Sequence, residues 1–342
     1  MQTSFFDFSN RREDLLAMQP AQTLVRLNEF VQWEIFRDEL STIRNKERKN
    51  TSGRKPYDVV LMFKILILQS LYNLSDAQVE FQIRDRITFM NFLGLGLQER
   101  VPDEKTVWLF REQLTKAELI KPLFDRFESL LVAEGFEAKR GQMVDATIVN
   151  VPIQRNSKEE NDQIKDGKTP EQWSESKERQ KDTDARFTKK RNKSYYGYKN
   201  HTNVDVEHKI IRDYDVTAAS VHDSQVFEDI LQPASENPDV YADSAYRSKQ
   251  AEEDLAAASY RSHVHERPYR NTPLTDEQKT VNRERSKIRV RVEHVFGSQL
   301  QLAGSAIVRS IGLARAKSQL GLRNLSYNLN RFGFLRSAQA SG

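Results

Sequence analysis

The hydrophobic positions early in the chain recur at helical spacing. From residue 59 the run VVLMFKILILQSLY presents apolar side chains to one buried helical face, and Asp58 stands where this helix would begin. Asn73 and Leu74 break the pattern, and Ser75 is a favourable N-cap for a second helix, DAQVEFQI. A short turn leads to a third helix, ITFMNFLGL. Helix, short turn and helix at these lengths are typical of a helix-turn-helix, although a plain helical bundle gives the same pattern.

Two more amphipathic helices complete the first part of the chain. Their sequences are DEKTVWLFREQL and AELIKPLFDRFESLLVAEG, and Gly135 is a plausible C-cap for the second. We therefore predict an all-helical region over residues 1–135.

The periodicity changes to alternation after Gly141. QMVDATIVNV predicts a strand, and YKNHTNVDVEHKIIRDYDVTAAS predicts a hairpin that turns near Glu207 and His208. Further strands are predicted in DVYADSAYRS and YRSHVHER, and helices in HDSQVFEDIL, KQAEEDLAAAS and a long segment from Thr275. Asp223 or Ser224 would cap the first of these helices. This order predicts a mixed α/β domain over residues 136–342, with helices packed on a sheet. A polar, charge-dense segment at about 153–194 is predicted to be an insertion, partly helical at most.

Charge is distributed unevenly, although the net charge is only +4. Residues 43–55 carry six basic residues and one acid, and residues 186–200 carry six basic residues and no acid. From Arg283 to Arg336 eleven Lys or Arg stand against only Glu284 and Glu293. One such run is usually solvated surface, but three runs, two of them mixed with aromatic or amide side chains, favour a nucleic-acid partner.

Several classes of protein are disfavoured by composition. No apolar run approaches the length of a transmembrane helix, and MQTSFFDFSNRRED lacks the order of a secretory signal. The chain has no cysteine, which excludes disulfides, thiolate zinc sites and cysteine nucleophiles. We expect a cytoplasmic protein and no membrane partner.

Three acids stand where a phosphoryl-transfer enzyme would use them. Asp145 lies within a predicted strand, Asp243 ends the apolar strand VYAD, and Glu293 lies on a helix between Val292 and Val295. Acids are disfavoured inside strands and costly when buried unpaired. Taken singly, each acid is more simply explained as an edge residue or a solvated helix residue. As an ordered set, carboxylates from separate elements can hold hard cations, and we predict two Mg²⁺ or Mn²⁺ ions.

The basic residues nearest these motifs are candidates for DNA contact. Arg289 stands one helical turn before Glu293, where it would meet a phosphate or form a salt bridge with that acid. The other candidates are Arg54, Lys55, Arg84, Arg86, Lys189, Lys190, Lys199 and His201. The neighbouring rings of Tyr195, Tyr196 and Tyr198 suit base stacking, but we expect two of the three to be core residues. His222 is a capping group or a site residue, and His263 and His265 are expected to bracket the sheet.

Many blocks of the sequence, in order, resemble bacterial insertion-sequence transposases of the IS-five (insertion sequence five) group. They include GRKPYDVVLMFKILILQSLYNLSDAQVEFQIRDRITFMNFLGL, VPDEKTVWLFREQL, VDATIV, QRNSKEEN, DTDARFTKK, YYGYKNH, VTAASVHDSQ, YADSAYRS, RVRVEHVFG and NLSYNLNR. The resemblance implies a ribonuclease-H-like, integrase-like catalytic core. Its first Asp would be Asp145 on the first strand, its second Asp243 after the fourth strand, and its Glu would be Glu293 on a late helix.

The sequence departs from the wider superfamily around the last acid. Relatives carry a signature of Tyr, Arg, Glu and Lys around this acid. Arg289 and Glu293 stand at its Arg and Glu positions. Ser286 stands at the Tyr position and Leu300 at the Lys position, with Lys317 as a substitute candidate. Roles of that Tyr and Lys are therefore absent or moved, whereas the three acids are unaffected.

The resemblance implies a DDE transposase that binds terminal inverted repeats through its N-terminal helical domain. It would cleave phosphodiester bonds with two metal ions and join the 3′-OH ends to target DNA, acting as a homodimer on DNA. A catalytically silent DNA-binding protein is disfavoured because all three acids are present. A metal-dependent nuclease would share the same site, and an α/β enzyme without a nucleic-acid substrate would bind DNA with little salt dependence.

Overall fold

The computed structural model describes residues 13–44, 55–190, 192–233, 237–268, 272–303 and 307–340. It divides into two compact units. Unit 1 comprises the described parts of Met1–Phe136, Gln301–Gly304 and Gly321–Gly342, and unit 2 those of Glu137–Leu300 and Ser305–Leu320. The sequence prediction placed residues 321–342 with the catalytic domain, whereas the structure packs their described part within unit 1.

Unit 1 is built from helices. They are α1 Gln19–Phe30, α2 Arg37–Ser41, α3 Val59–Tyr72, α4 Asp76–Asp85, α5 Ile87–Leu93, α6 Glu104–Lys116 and α7 Ile120–Ala133, with 3-10 helices at Trp33–Phe36 and Thr42–Arg44. Of the described residues, no single helix is long and apolar enough to cross a membrane; α3 and α4 reach that length and apolarity only as a pair bent by 101°.

Local signals explain where these helices begin and end. The Asp58 carboxylate accepts hydrogen bonds from the backbone N–H groups of Val60 and Leu61, at the start of α3. Asn73 ends α3 in the left-handed conformation, and Ser75 forms a capping box with Gln78 at the start of α4. These contacts confirm the predicted helices and the predicted N-cap.

Unit 2 contains a six-stranded mixed sheet. Its strands are β1 Gln142–Asn150, β2 Arg186–Lys190, β3 Lys193–Asp205, β4 Ile211–Ala218, β5 Asp239–Tyr241 and β6 Arg261–Ser262. The order is β2-β3-β1-β5-β6, and β4 also pairs with β3. β1 is antiparallel to β3 and parallel to β5, so it lies at the centre of the sheet. An apolar cluster that includes Val144, Phe227, Val240 and Leu255 packs against these strands.

The predicted hairpin is confirmed as β3 and β4. Lys209 adopts φ +57° in its turn, and the buried Asp205 carboxylate accepts from the Ile210 N–H at 3.0 Å and pairs with Arg212 at 3.1 Å. The helix predicted in HDSQVFEDIL is wrong: only a 3-10 turn, Asp223–Gln225, is present, and His222 is its N-cap. The last predicted strand is reduced to the two residues of β6.

The polar segment at 153–194 forms elements of its own. It contains α8 Lys158–Lys165 and α9 Glu175–Glu178, each begun by a serine N-cap, and then β2. The Tyr198 hydroxyl donates to the Asp182 carboxylate, which is buried at the base of this segment, at 2.8 Å. The segment is therefore attached to the sheet through β2 and through Asp182.

Three helices follow or connect the later strands. They are α10 Lys249–Ala257, α11 Asp276–Ala303 and α12 Leu313–Ala340. α10 and α11 correspond to predicted helices, whereas the sequence pattern did not predict α12.

Candidate active site

Asp145 projects from the central strand. On β1 it pairs with Thr202 of β3, and its side chain is 14% exposed. One carboxylate oxygen accepts the Ala146 N–H at 2.8 Å, and the other accepts from the Arg289 guanidinium at 2.9 Å. Burial raises the pKa of Asp145 to about 6, the Arg289 charge opposes this rise, and Asp243 adds to it.

Asp243 lies just beyond the carboxyl end of β5, the strand next to β1. Its side chain accepts the Ala245 N–H at 2.8 Å, which fixes the carboxylate in a tight turn. The parallel pairing of β5 with β1 brings this turn beside Asp145, close enough for the Asp243 charge to act on the pKa of Asp145. The sheet topology therefore places two of the three predicted acids together.

Glu293 reaches the same place from α11. Val292 and Val295 on this helix are fully buried, whereas the Glu293 side chain is 58% exposed. Arg289, one turn earlier, lies 3.5 Å from the Glu293 carboxylate and 2.9 Å from that of Asp145. A single guanidinium thus links the strand acid to the helix acid. The predicted salt bridge between Arg289 and Glu293 is present, and the closer pair with Asp145 had not been predicted.

Three other side chains of α11 hold this helix in place through hydrogen bonds to the backbone of neighbouring segments. Arg285 donates to the Val264 carbonyl at 2.6 Å, and Arg291 donates to the Val206 carbonyl at 2.9 Å. Asn282 exchanges hydrogen bonds with the backbone of Glu266 at 2.8 and 3.1 Å. These bonds bind the helix to segments that follow β3 and β6.

Tyr246 is a site residue that the sequence analysis missed. Its ring is buried against Phe227, with the centroids 5.0 Å apart. Burial raises the pKa of Tyr246 well above its usual value, and the charges of Asp145, Asp223 and Asp243 act in the same direction. Within the described part of the chain, its hydroxyl has no hydrogen-bond partner. The only signal in the sequence was its place three residues after Asp243 in YADSAYRS.

The carboxylate oxygens of the three acids suit a hard cation, although the side chains are too far apart to coordinate one ion together. Among the described residues, no group of three His, Asp or Glu side chains is close enough to hold a metal ion. Asp145, Asp243 and Glu293 offer carboxylate oxygens, which are the ligands that Mg²⁺ and Mn²⁺ prefer. The Tyr246 hydroxyl is a buried polar group that needs a partner at the same place. The residues present therefore fit such an ion, on the condition that Arg289 leaves Asp145.

Two of the residues predicted to contact DNA have buried side chains. Lys199 pairs with Asp223 at 2.7 Å and donates to the Val221 carbonyl at 2.6 Å. His201 is fully buried, with Nε2 2.9 Å from the Thr217 hydroxyl, and burial lowers its pKa to about 4. A neutral, enclosed imidazole and an enclosed lysine with fixed partners offer nothing to a phosphate at the surface.

The other lysines of this basic run are exposed. Lys189 and Lys190 lie on β2, and the charge of Lys190 is close enough to Asp145 to lower its pKa. Tyr196 and Tyr198 are buried and Tyr195 is half-buried, which confirms that two of the three rings are core residues.

The predicted contacts of unit 1 are surface residues. Lys55 and Arg86 are exposed, with the Arg86 guanidinium 5.0 Å from the Phe89 ring. Arg84 is 58% exposed and pairs with Glu80 at 2.8 Å. Arg54 lies outside the described residues.

The remaining candidates have structural partners. Asp239 binds His263 at 3.0 Å, and the His263 ring stacks on Tyr241. His265 Nε2 lies 3.4 Å from the hydroxyl of Ser286, the residue at the signature Tyr position. Lys317 pairs with Asp215 at 3.1 Å, and Leu300 is exposed.

Comparison with known proteins shows the family to which the chain belongs. Residues 137–329, more than half of the chain, match the family model described as Transposase DDE domain, and residues 13–113 match one described as Transposase domain (DUF772). A solved structure, the cryo-EM structure of the piggyBac transposase synaptic complex with hairpin DNA, is similar at 10% identity and a TM-score of 0.44, over 90% of this chain and 75% of that one. On the first of these matches, the chain belongs to the Transposase DDE domain family and is a DDE transposase.

Proposed function

We propose that this transposase binds the terminal inverted repeats of an insertion sequence of the IS-five group, hydrolyses phosphodiester bonds at their ends and joins the freed 3′-OH to target DNA. The observation that carries the proposal is that Arg289 contacts both Asp145 and Glu293, while the pairing of β5 with β1 brings Asp243 beside Asp145. A ribonuclease-H-like core is supported by the sheet order, with β1 between antiparallel β3 and parallel β5.

The three acids would hold two Mg²⁺ or Mn²⁺ ions. Such ions activate the attacking oxygen and stabilise the leaving oxygen of an in-line displacement. The carboxylates contribute position: Asp145 is fixed by the sheet, Asp243 by its turn and Glu293 by a helix bound through Arg285 and Arg291. Because their backbone supports are independent, the acids keep their places when DNA enters.

Besides pairing with Asp145, Arg289 has a second role in this proposal, which is to bind a DNA phosphate. Its guanidinium carries a fixed fork of donors that suits a phosphate as well as it suits a carboxylate. If Asp145 were to hold a metal ion, the Arg289 guanidinium would be free to bind a phosphate of the reacting strand. The residue would thus act as a counter-ion of Asp145 and Glu293 in the DNA-free protein and as a phosphate ligand in the DNA complex.

Other exposed cations would hold the rest of the DNA. Lys189 and Lys190 lie on the same unit as the acids, and Lys55, Arg84 and Arg86 lie on unit 1. Contacts to phosphates set affinity and register without reading sequence. The two ends of an element are handled together, so a homodimer on DNA is part of the proposal.

The test is cleavage and joining of a labelled DNA that carries the element's own end, with Mg²⁺ or Mn²⁺. Wild type is compared with Asp145→Asn, Asp243→Asn and Glu293→Gln. Glu284→Gln is the matched control, because Glu284 lies on the same helix but pairs with Lys287 at 2.7 Å. We expect the three variants to bind DNA without cutting, and the control to cut like wild type.

Joining is measured separately on pre-cut ends. Wild type that cuts but never joins would be a metal-dependent nuclease, and wild type that binds but never cuts would be a DNA-binding protein. A variant of the three acids that cuts at the wild-type rate would remove that residue from the site.

A further inference from the structure

The hairpin of β2 with the start of β3 presents an aromatic ring to solvent. Phe187 is 55% exposed, and one side of its ring lies against Tyr196, with the centroids 4.6 Å apart and the planes tilted by 39°. Tyr196 is itself buried, and its hydroxyl donates to the Asp182 carbonyl at 3.3 Å. The Phe187 ring is therefore supported from behind by a fixed ring and open in front.

Single exposed hydrophobic side chains are common, so exposure alone assigns no role to Phe187. Its surroundings distinguish it. Along β2 its side chain lies on the same face as that of Lys189, and Lys190 and Lys193 are also exposed on the hairpin. The segment 186–200 contains no acid. An open ring on a hairpin that also carries exposed cations is complementary to a nucleotide, which joins an aromatic base to an anionic phosphate.

The hairpin belongs to the sheet that carries Asp145, because β2 pairs with β3 and β3 pairs with β1. The close approach of β3 to both strands depends on Gly197, which pairs with Arg186 of β2 and with Asn150 of β1. It has φ +151°, and a Cβ built on it would lie 2.2 Å from the Val149 carbonyl oxygen. Only glycine allows β3 to pass this closely from one partner strand to the other.

We propose that the Phe187 ring is a stacking platform for an unpaired nucleobase of DNA at the site of cutting, with Lys189 and Lys190 binding the adjacent phosphates. The base must be unpaired, because a base within a duplex already has both faces stacked on its neighbours. The inference rests on the proposed function, since it concerns the DNA that the three acids would cut.

The experiment measures binding to two DNA probes in EDTA, so that no chemistry occurs. One probe is a fully paired end, and the other has the same sequence with its terminal bases splayed and 2-aminopurine at a splayed position. Wild type is compared with Phe187→Ala and Phe187→Trp. Phe334→Ala is the control, because Phe334 is an exposed phenylalanine (51%) that stacks beside Arg331 in unit 1.

We expect wild type to prefer the splayed probe and to quench its 2-aminopurine fluorescence. Phe187→Ala should lose roughly 5- to 150-fold of affinity for the splayed probe alone, the range seen when one stacking ring is removed. Phe187→Trp should retain both the preference and the quenching, because it restores a ring. Phe334→Ala should behave as wild type.

The experiment distinguishes failure of the Phe187 platform from failure of the proposed function. If wild type binds paired DNA but shows no preference for the splayed end, or if Phe187→Ala keeps the preference and the quenching, the platform is refuted and the proposed function stands. If wild type binds neither probe, both are refuted. If Phe187→Ala changes only the sedimentation of the protein and not its DNA binding, the ring serves contact between two copies of the chain and the platform is again refuted.

Discussion

Removing the Arg289 side chain should increase the affinity of the site for a divalent cation while decreasing DNA cleavage. Arg289 occupies one oxygen of Asp145 at 2.9 Å and lies 3.5 Å from Glu293. An ion that binds both acids must first break this link and must also enter beside a positive charge. In Arg289→Ala neither cost remains. DNA cleavage should fall in the same variant, because the Arg289 side chain that competes with the metal ion is also the proposed ligand of the DNA phosphate.

The size of the effect follows from the contact that is broken. A hydrogen bond between charged groups contributes about 1.5–3 kcal/mol. The Arg289 and Asp145 side chains are 21% and 14% exposed, so solvent screens their interaction only in part. That free energy corresponds to roughly a 10- to 150-fold tighter binding of Mn²⁺ by Arg289→Ala.

The assay is Mn²⁺ titration of the DNA-free protein, followed by calorimetry or by the EPR signal of free Mn²⁺. It is run at pH 8, because burial raises the pKa of Asp145 to about 6 and loss of the opposing Arg289 charge would raise it further, so that protons would compete with the ion at lower pH. Lys287→Ala is the control, since Lys287 is a cation on the same helix that pairs with Glu284 at 2.7 Å. Equal or weaker Mn²⁺ binding by Arg289→Ala would refute the competition.

Two further predictions concern buried groups of unit 2. Tyr246→Phe removes a buried hydroxyl that has no hydrogen-bond partner among the described residues. The free energy of unfolding of the metal-free protein should therefore stay constant or rise by up to about 1–3 kcal/mol, whereas Mn²⁺ binding should weaken. A loss of stability in urea unfolding would contradict this prediction. Burial lowers the pKa of His201 from 6.5 to about 4, so below pH 6.5 the unfolded state binds a proton that the folded state excludes. Wild type should therefore lose about 3 kcal/mol more stability than His201→Gln between pH 7 and 4, and parallel pH profiles in urea unfolding would refute the assignment.

The helices of unit 1 could be predicted because their signals are local. Asp58, Asn73 and Ser75 act on backbone groups within a few residues, and the apolar spacing of α3 needs no knowledge of its partners. α12 could not be predicted in this way. Asn324 and Asn328 are buried within it, so its polar residues do not mark a solvent face and the helical period is lost.

The polar character of β3 was misleading for a related reason. Its residues from Tyr196 to Asp205 are buried without alternation, so the side chains on both faces of this part of β3 are covered. Lys199 and His201 looked exposed because they are polar. Their partners, Asp223 and Thr217, come from later segments that the sequence pattern of β3 does not contain.

The three acids could be selected from the sequence only as an ordered set, and their convergence depends on pairings between distant segments. Asp145 and Arg289 are 144 residues apart, so no spacing rule predicts their contact. The parallel pairing of β5 with β1 decides that Asp243 lies beside Asp145 rather than at another edge of the sheet. Tyr246 could be identified as a site residue only once that pairing placed its hydroxyl among the acids.

The charges of the site also indicate whether Lys199 or Arg289 would be displaced by a bound metal ion. Lys199 and Arg289 each neutralise an acid, Asp223 at 2.7 Å and Asp145 at 2.9 Å. Lys199 is buried and is held by a second bond to a backbone carbonyl, so displacing it would leave an enclosed ammonium group without its ion partner. Arg289 is more exposed, and its other partner is the solvent-facing Glu293. Arg289 would therefore be displaced at a lower free-energy cost than Lys199, and its displacement would free both Asp145 and Glu293 while Asp223 kept its lysine.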